Sequence, residues 1–314
     1  MNLQACDLDA KPAPDAIRTV SKVCAAALRV CCALAMLAFG AACAFADGVP
    51  AERPFALPDT QVVDLPKASN GIDYQLYVHV PPSCKSVAKK CPVVYMLDAE
   101  YSFPLAATIV THLGDRQRIP ALISVAIGYP DKSHYHLDRT RDYTPFFFAE
   151  GGYGEEMQKV SGGGPAFLKV IQDEVIPYVE KHYPASAEHR TLVGHSYGGL
   201  FATYAWINAP SSFENFLIVS PSLWYANRKP LQAVAEACRE SAFAEERKLF
   251  LAVGSFEEQP ENNRRMVSDL RAMNDELMRC GKRKVASRIE VFEDETHASI
   301  FPTALSTGLR AFYQ

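Results

Sequence analysis

The sequence predicts an α/β fold: a mostly parallel central sheet flanked by helices, built as a single domain. Short apolar runs alternate with helical stripes along most of the chain. One run leads into a glycine-bracketed serine that opens a helix, and a histidine follows the last run by a few residues. In a parallel sheet both would stand on the same edge.

The first segment is expected to lie outside this domain. Lys11, Arg18, Lys22 and Arg29 precede or border the apolar run from Val30 to Phe45, and Ala44-Phe45-Ala46 offers small residues where a signal peptidase reads. Residues 1–46 therefore read as a signal peptide cleaved after Ala46, with residues 47–314 as the folded domain. The apolar run is about sixteen residues long, short of the roughly 20 that span a bilayer. An uncleaved anchor and a lipid anchor at Cys43 are the alternatives. The expected location is periplasmic or secreted, with no membrane contact after cleavage.

Without the leader the net charge is about −5, which gives no reason to expect nucleic acid. Four cysteines are left, Cys84, Cys91, Cys238 and Cys280, an even number for an oxidising compartment. Three pairings are open. The favoured one joins Cys84 to Cys91 across the loop between two strands and Cys238 to Cys280 at the ends of two late helices. No C-x-x-C or H-x-x-x-H spacing points to a metal, and no cofactor is expected.

Asp73 to Val80 alternates as a strand should. Pro92–Leu97, Ala121–Ile127, Thr191–Val193, Phe216–Val219, Leu249–Val253 and Arg288–Phe292 follow, most of them compact apolar runs suited to burial on both faces. Phe167, Val170, Ile171, Val175, Tyr178 and Val179 recur at helical spacing, as do Met266, Leu270, Met273 and Leu277, so each segment carries one core-facing stripe. Pro130 to Gly164 has little periodicity and reads as a long irregular excursion above the sheet, a binding loop or a mobile surface segment.

The chemistry concentrates in Gly194-His195-Ser196-Tyr197-Gly198-Gly199, between the strand at Thr191–Val193 and an apolar helix. A serine on a sharp strand-to-helix turn is exposed at the sheet edge, and Gly194 and Gly198 are expected to spare that turn a side-chain collision. The Tyr197 N–H, at the start of the helix, could then stabilise a tetrahedral oxyanion. Such a serine needs a base that is itself held by a third group. His297 follows the last strand through Glu293-Asp294-Glu295-Thr296, and the order serine, acid, histidine is that of the α/β-hydrolase fold. His195 is expected to point to the other side of the turn. The acid should follow Leu249–Val253, where Glu257 is the first choice, Glu258 its rival, and a serine–histidine dyad the third option. A second oxyanion donor is expected from the backbone of Glu100 or Tyr101, after the strand Pro92–Leu97.

Leu97-Asp98-Ala99, Arg139 to Pro145, Gly194 to Gly199, Ser220 to Trp224, Gly254 to Glu257 and Thr296 to Ser299 together resemble the putative-esterase family, which includes esterase D, the mycolyl transferases and the enterobactin esterases. The resemblance runs from about Val62 to the C-terminus. It is greatest to the periplasmic hydrolases that open catecholate siderophore trilactones. The resemblance implies Ser196 as nucleophile, His297 as base, Glu100 and Tyr197 as oxyanion donors, and Arg139 or Arg141 as a group that polarises or holds an anionic substrate. One departure is Ala99, where many members carry glycine.

Lys132, His134, His136, Arg139 and Arg141 make the long loop locally basic, and Tyr101, Phe103, Phe146 to Phe148, Trp224 and Tyr225 add aromatic surface. A basic, aromatic mouth would suit a ferric catecholate siderophore. Alternatively, the arginines pair with Asp138 and Asp142 and the aromatic rings fill the core. The expected activity is hydrolysis of a small-molecule carboxylic ester. A general short-chain esterase or an acyltransferase is the enzymatic alternative, and a siderophore-binding protein without turnover the non-enzymatic one.

Overall fold

Four strands of the sheet alternate their side chains between two apolar environments. Val93, Tyr95, Leu192, Phe216, Ile218, Leu249 and Leu251 belong to one buried cluster, and Val94, Met96, Val193, Leu217, Val219, Phe250 and Ala252 to the other. Successive residues of a strand face opposite sides, so a continuous apolar run is what a sheet covered on both faces requires. The computed structural model describes residues 53–85, 90–240, 246–259, 261, 264–280 and 285–314. Ala56–Gln314 form one compact unit. The expected signal peptide, its cleavage after Ala46 and the alternative at Cys43 lie outside the described residues.

The strands are β1 (Thr60–Asp64), β2 (Gln75–His79), β3 (Cys91–Met96), β4 (Ile123–Gly128), β5 (Ala185–His195), β6 (Asn215–Val219), β7 (Arg247–Gly254), a short hairpin of β8 (Glu258–Gln259) and β9 (Arg264–Arg265), and β10 (Val285–Phe292). Eight of them form one sheet in the order β1-β2-β4-β3-β5-β6-β7-β10. Only the β1–β2 and β2–β4 pairs are antiparallel. From β4 to β10 every pair is parallel, so the loops that follow β3, β5, β6, β7 and β10 all open on one edge.

The longer helices are α1 (Ala99–Asp115), α2 (Tyr135–Tyr143), α3 (Gly164–Val170), α4 (Ile176–His182), α5 (Tyr197–Asn208), α6 (Tyr225–Glu240), α7 (Met266–Met278) and α8 (Ile300–Tyr313). Apolar residues of α1 and α8 complete one core cluster, and those of α3 to α7 the other. No described helix is long and apolar enough to cross a membrane. Disulfides join Cys84 to Cys91, the first residue of β3, and Cys238 on α6 to Cys280, two residues past α7.

The structure differs from the sequence expectation in three places. Strand β1 has no apolar alternation, because it is an exposed edge strand whose side chains are mostly solvated. Strand β5 begins six residues before the apolar run, its first part carrying Glu188, His189 and Arg190. The excursion from Pro130 to Gly164 contains α2, whose buried face is polar: Arg139, Thr140 and Asp142 are buried there. A helix that buries ion pairs leaves no apolar stripe in the sequence.

At the end of β2, His79 is 3% exposed and its Nε2 lies 3.3 Å from the Thr111 hydroxyl on α1. Burial holds its pKa below the usual histidine value, with Lys85 adding to the effect and Asp59 opposing it. Below about pH 6.5 the unfolded chain binds a proton here that the folded chain resists, so stability falls as pH falls through that range. Urea midpoints at pH 7.5 and 5.5 are expected to differ by more in the wild type than in His79→Gln. Equal differences would place the pH dependence elsewhere.

Candidate active site

Strand β5 ends at His195, and Ser196 adopts φ 60° and ψ −117° before α5 starts at Tyr197. This backbone is strained for any residue with a side chain, and it is held at both ends. The Ser196 N–H donates to the Val219 carbonyl at 3.0 Å, while the Ser196 carbonyl accepts from Leu200 at 2.9 Å and from Ser222 at 3.1 Å. A Cβ on Gly194 would stand 2.1 Å from the Gly198 carbonyl oxygen, and one on Gly199 2.9 Å from Pro221 and Val219. The collisions therefore fall on Gly194 and Gly199. Gly198, expected to share that role, has only ordinary contacts of 3.4 Å or more at its Cβ position.

The loop after β7 turns through Ser255–Glu257, and the loop after β10 carries His297 towards it. The Phe256 N–H donates to the Glu295 carbonyl at 3.1 Å and the Asp294 N–H to the Ser255 hydroxyl at 3.0 Å, which ties the two loops together. Glu257 is 3% exposed. Its Oε2 lies 2.5 Å from His297 Nδ1, and its Oε1 accepts from the Ser220 hydroxyl at 2.6 Å and the Gly254 N–H at 2.8 Å. Three partners fix this buried carboxylate in one orientation. Glu258 is turned away, accepting from the N–H and hydroxyl of Ser268 in the first turn of α7.

Ser196, Tyr197, Glu257 and His297 line one cavity of about 430 Å³, together with Tyr153, Ser222, Trp224, Phe256, Gln259 and Arg264. Of Arg139, Arg141, Tyr101 and Trp224, all expected at the substrate mouth, Trp224 alone lines it. Arg139 is 4% exposed and buried behind the turn, donating to both Asp98 oxygens at 2.7 and 3.2 Å, to the His195 carbonyl at 3.1 Å and to the Tyr153 hydroxyl at 2.8 Å. Arg141 pairs with Asp142 and Asp138. The Tyr101 hydroxyl points inward, 3.3 Å from Asp98 Oδ2 and 3.0 Å from His195 Nδ1. Lys132 is paired with Glu100, and His134 with Asp131 at 3.2 Å. The basic charge of the long loop is thus largely neutralised locally.

The Tyr101 N–H is also engaged, donating to the Asp98 carbonyl at 3.3 Å. This leaves Glu100 as the remaining candidate of the two for a second oxyanion donor, at the start of α1, which follows a left-handed Asp98. Ala99 is fully buried at that turn, so the departure from glycine is accommodated. His195 does not turn away from the base. Its ring centroid lies 4.6 Å from that of His297. Two residues along β5, Val193 faces the α1/α8 side, and His195 shares that face. The loop bearing His297 leads directly into α8 on the same side.

Sequence reasoning missed Tyr153, Phe256, Gln259 and Arg264 in the cavity wall. Tyr153 lies in the aperiodic excursion, and Gln259 and Arg264 sit on a hairpin whose strands are two residues each. The run Arg264-Arg265 was the available signal. Among the described residues, no group of three or more His, Cys, Asp or Glu side chains is gathered as a metal site requires.

The sequence model of the family described as Putative esterase matches residues 68–312. The chain belongs to this family. It is 33% identical over 266 residues to a siderophore enterobactin esterase of Emericella nidulans, covering 75% of this chain and 88% of that protein. It is 26% identical to the ferri-bacillibactin esterase BesA of Bacillus subtilis, over 82% of this chain and 90% of the relative. Among solved structures, the BES protein from Bacillus cereus superposes with a TM-score of 0.73 at 26% identity, covering 85% of this chain and all of that one. The family model runs from before β2 into α8 and so takes in the loops that carry Ser196, Glu257 and His297.

Gly194→Ala is expected to cost about 1–3 kcal/mol or more, since backbone must move to admit the methyl group. Gly198→Ala should fold with near wild-type stability. Thermal melts of the two variants check this, and equal melting temperatures would mean that the turn tolerates a side chain at Gly194.

Proposed function

We propose that the protein is an exported serine esterase that hydrolyses the ester bonds of a catecholate siderophore trilactone through an acyl-enzyme on Ser196. The observation that carries the reading is the meeting of Ser196, His297 and a triply held Glu257 around one cavity. The names of the similar proteins support the substrate class, and the composition of the first segment supports export.

In this reading Glu257 accepts from the Nδ1–H of His297, leaving Nε2 free to take the Ser196 proton. Oγ attacks the ester carbonyl, and the negative oxygen is met by the Tyr197 N–H at the start of α5 and by the Glu100 N–H. The C–O bond to the alcohol breaks as His297 returns the proton to that oxygen. A water then gives its proton to His297 and its oxygen to the acyl carbon, releasing the acid and restoring Ser196.

The cavity offers the rings of Tyr153, Tyr197, Trp224 and Phe256, with the Arg264 guanidinium 5.3 Å from the Trp224 ring centre. Flat aromatic groups bearing anionic oxygens, as in a catecholate, match rings backed by a cation. Arg264 lines the cavity and Arg139 and Arg141 do not, so Arg264 takes the anion-facing role that the sequence suggested for them.

Purified protein is expected to cleave a catecholate trilactone much faster than a short-chain aryl ester. Ser196→Ala should lower kcat by about 10⁴-fold or more, and Glu257→Gln by about 10²–10⁴-fold. Turnover of the simple ester alone would make a general esterase the better description. Binding of the chelate without cleavage, and without phosphonate labelling of Ser196, would favour the binding protein. Arg264→Ala should raise KM several-fold for the anionic trilactone at low salt and leave KM for a neutral aryl ester unchanged. Equal effects on both substrates would remove the charge argument.

A further inference from the structure

His195 is not required by the reaction as written, yet it stands directly against the group that is. Its ring lies 4.6 Å from that of His297 at 34° between planes, and 5.9 Å from Phe301 of α8. On its other side Nδ1 is 3.0 Å from the Tyr101 hydroxyl, which reaches Asp98 Oδ2 at 3.3 Å. Asp98 is fully buried and held by Arg139 at 2.7 Å and by the Tyr135 hydroxyl at 2.8 Å, while its N–H donates to the Tyr143 hydroxyl at 3.0 Å. Arg139 also binds the His195 carbonyl. The side chain and backbone of His195 are therefore both anchored to one buried ion pair.

We propose that His195 is a positioning residue for the general base: its imidazole, tied through Tyr101 to the Asp98–Arg139 pair, is the wall that holds the His297 ring in place at the cavity. His297 needs such a wall. Its side chain is 44% exposed and, among the described residues, its polar anchor is Glu257, at Nδ1. A single bond at one ring nitrogen leaves the ring free to swing about that bond, and a flat surface against its face removes that freedom.

The wall also stays uncharged. Burial, the neighbouring His297 and Arg139 together hold the His195 pKa well below its usual value, opposed only by the His297 backbone. Of the groups facing it, Tyr101 is held protonated by burial and by Asp98, the Asp98 charge is matched by Arg139, and Phe301 is apolar. When His297 takes the serine proton it thus meets a neutral ring. Nε2 of His195 is buried, out of reach of solvent.

This inference rests on the esterase reading for its kinetic arm, and an NMR arm stands apart from turnover. His195→Ala is expected to lower kcat about 10- to 100-fold with KM unchanged, and to slow phosphonate labelling of Ser196 by the same factor. His195→Phe, which keeps a flat ring, should recover most of that loss, and Tyr101→Phe should lose a few-fold. In imidazole NMR titrations of the wild type, His195 should remain neutral as pH falls through the ordinary histidine value of about 6.5. A His195→Ala enzyme that is less stable but turns over at wild-type kcat would overturn the proposal, as would a rise in KM alone or a His195 that protonates at that ordinary value. Failure of the wild type to label at Ser196 would strike the esterase reading instead, and the NMR titration would still decide the role of His195.

Discussion

The Gly198 carbonyl lies where the first side-chain carbon of any larger residue at position 194 would stand, and this close approach sets the geometry of the site. It allows β5 to turn into α5 within one residue, with Ser196 at a positive φ. The cost of that conformation is met by hydrogen bonds from both neighbouring segments, to Val219 at the end of β6 and to Leu200 and Ser222. Parallel pairing then does the rest. Because β3, β6, β7 and β10 run in the same direction as β5, each delivers its following loop to the same edge, and residues nearly two hundred positions apart in the chain are brought to it.

Behind the turn lies a second layer built from charge. Asp98 and Arg139 are almost wholly enclosed, an arrangement that is costly unless every remaining donor and acceptor is satisfied. Here Tyr135, Tyr101, Tyr153 and the His195 carbonyl supply those partners. Breaking the pair would leave a bare charge beside the nucleophile turn. Its worth lies in fixing one arrangement of β3, α2 and β5 around the site.

Much of this was legible in the sequence for a physical reason. Strands buried on both faces must be apolar at every position, so β3, β4, β6 and β7 stand out as runs. The nucleophile turn needs glycines at fixed offsets, and the base must follow the last strand. The choice between Glu257 and Glu258 could not be made from adjacency: it depends on which way the turn at Ser255 aims each side chain. The sequence left Arg139 and Arg141 between substrate contacts and partners of Asp138 and Asp142, because it shows charge without geometry; the pairing holds for Arg141. Asp98 is distant in sequence from Arg139, and Asp142, although adjacent to Arg141, could equally have been solvated. The polar buried face of α2 hid the helix for the same reason. His195 was misjudged because strand parity predicts which face it occupies, while the loop arriving on that face from β10 comes from the far end of the chain.

Ser196 and His297, the proposed nucleophile and base, also differ in how deeply they are rooted. Ser196 hangs from β5, an interior strand of the sheet with neighbours on both sides, whereas His297 hangs from β10, the edge strand, whose residues are only partly buried. Hydrogen bonds at a sheet edge open more readily than those inside it. The two halves of the site therefore belong to regions of unequal local stability, bridged by Glu257 and the loop contacts around Glu295. An opening confined to the edge would part His297 from Ser196 while the core remained folded. In the proposed mechanism, turnover would then report on the integrity of the sheet's margin, and a chain that still shows native secondary structure could already be silent.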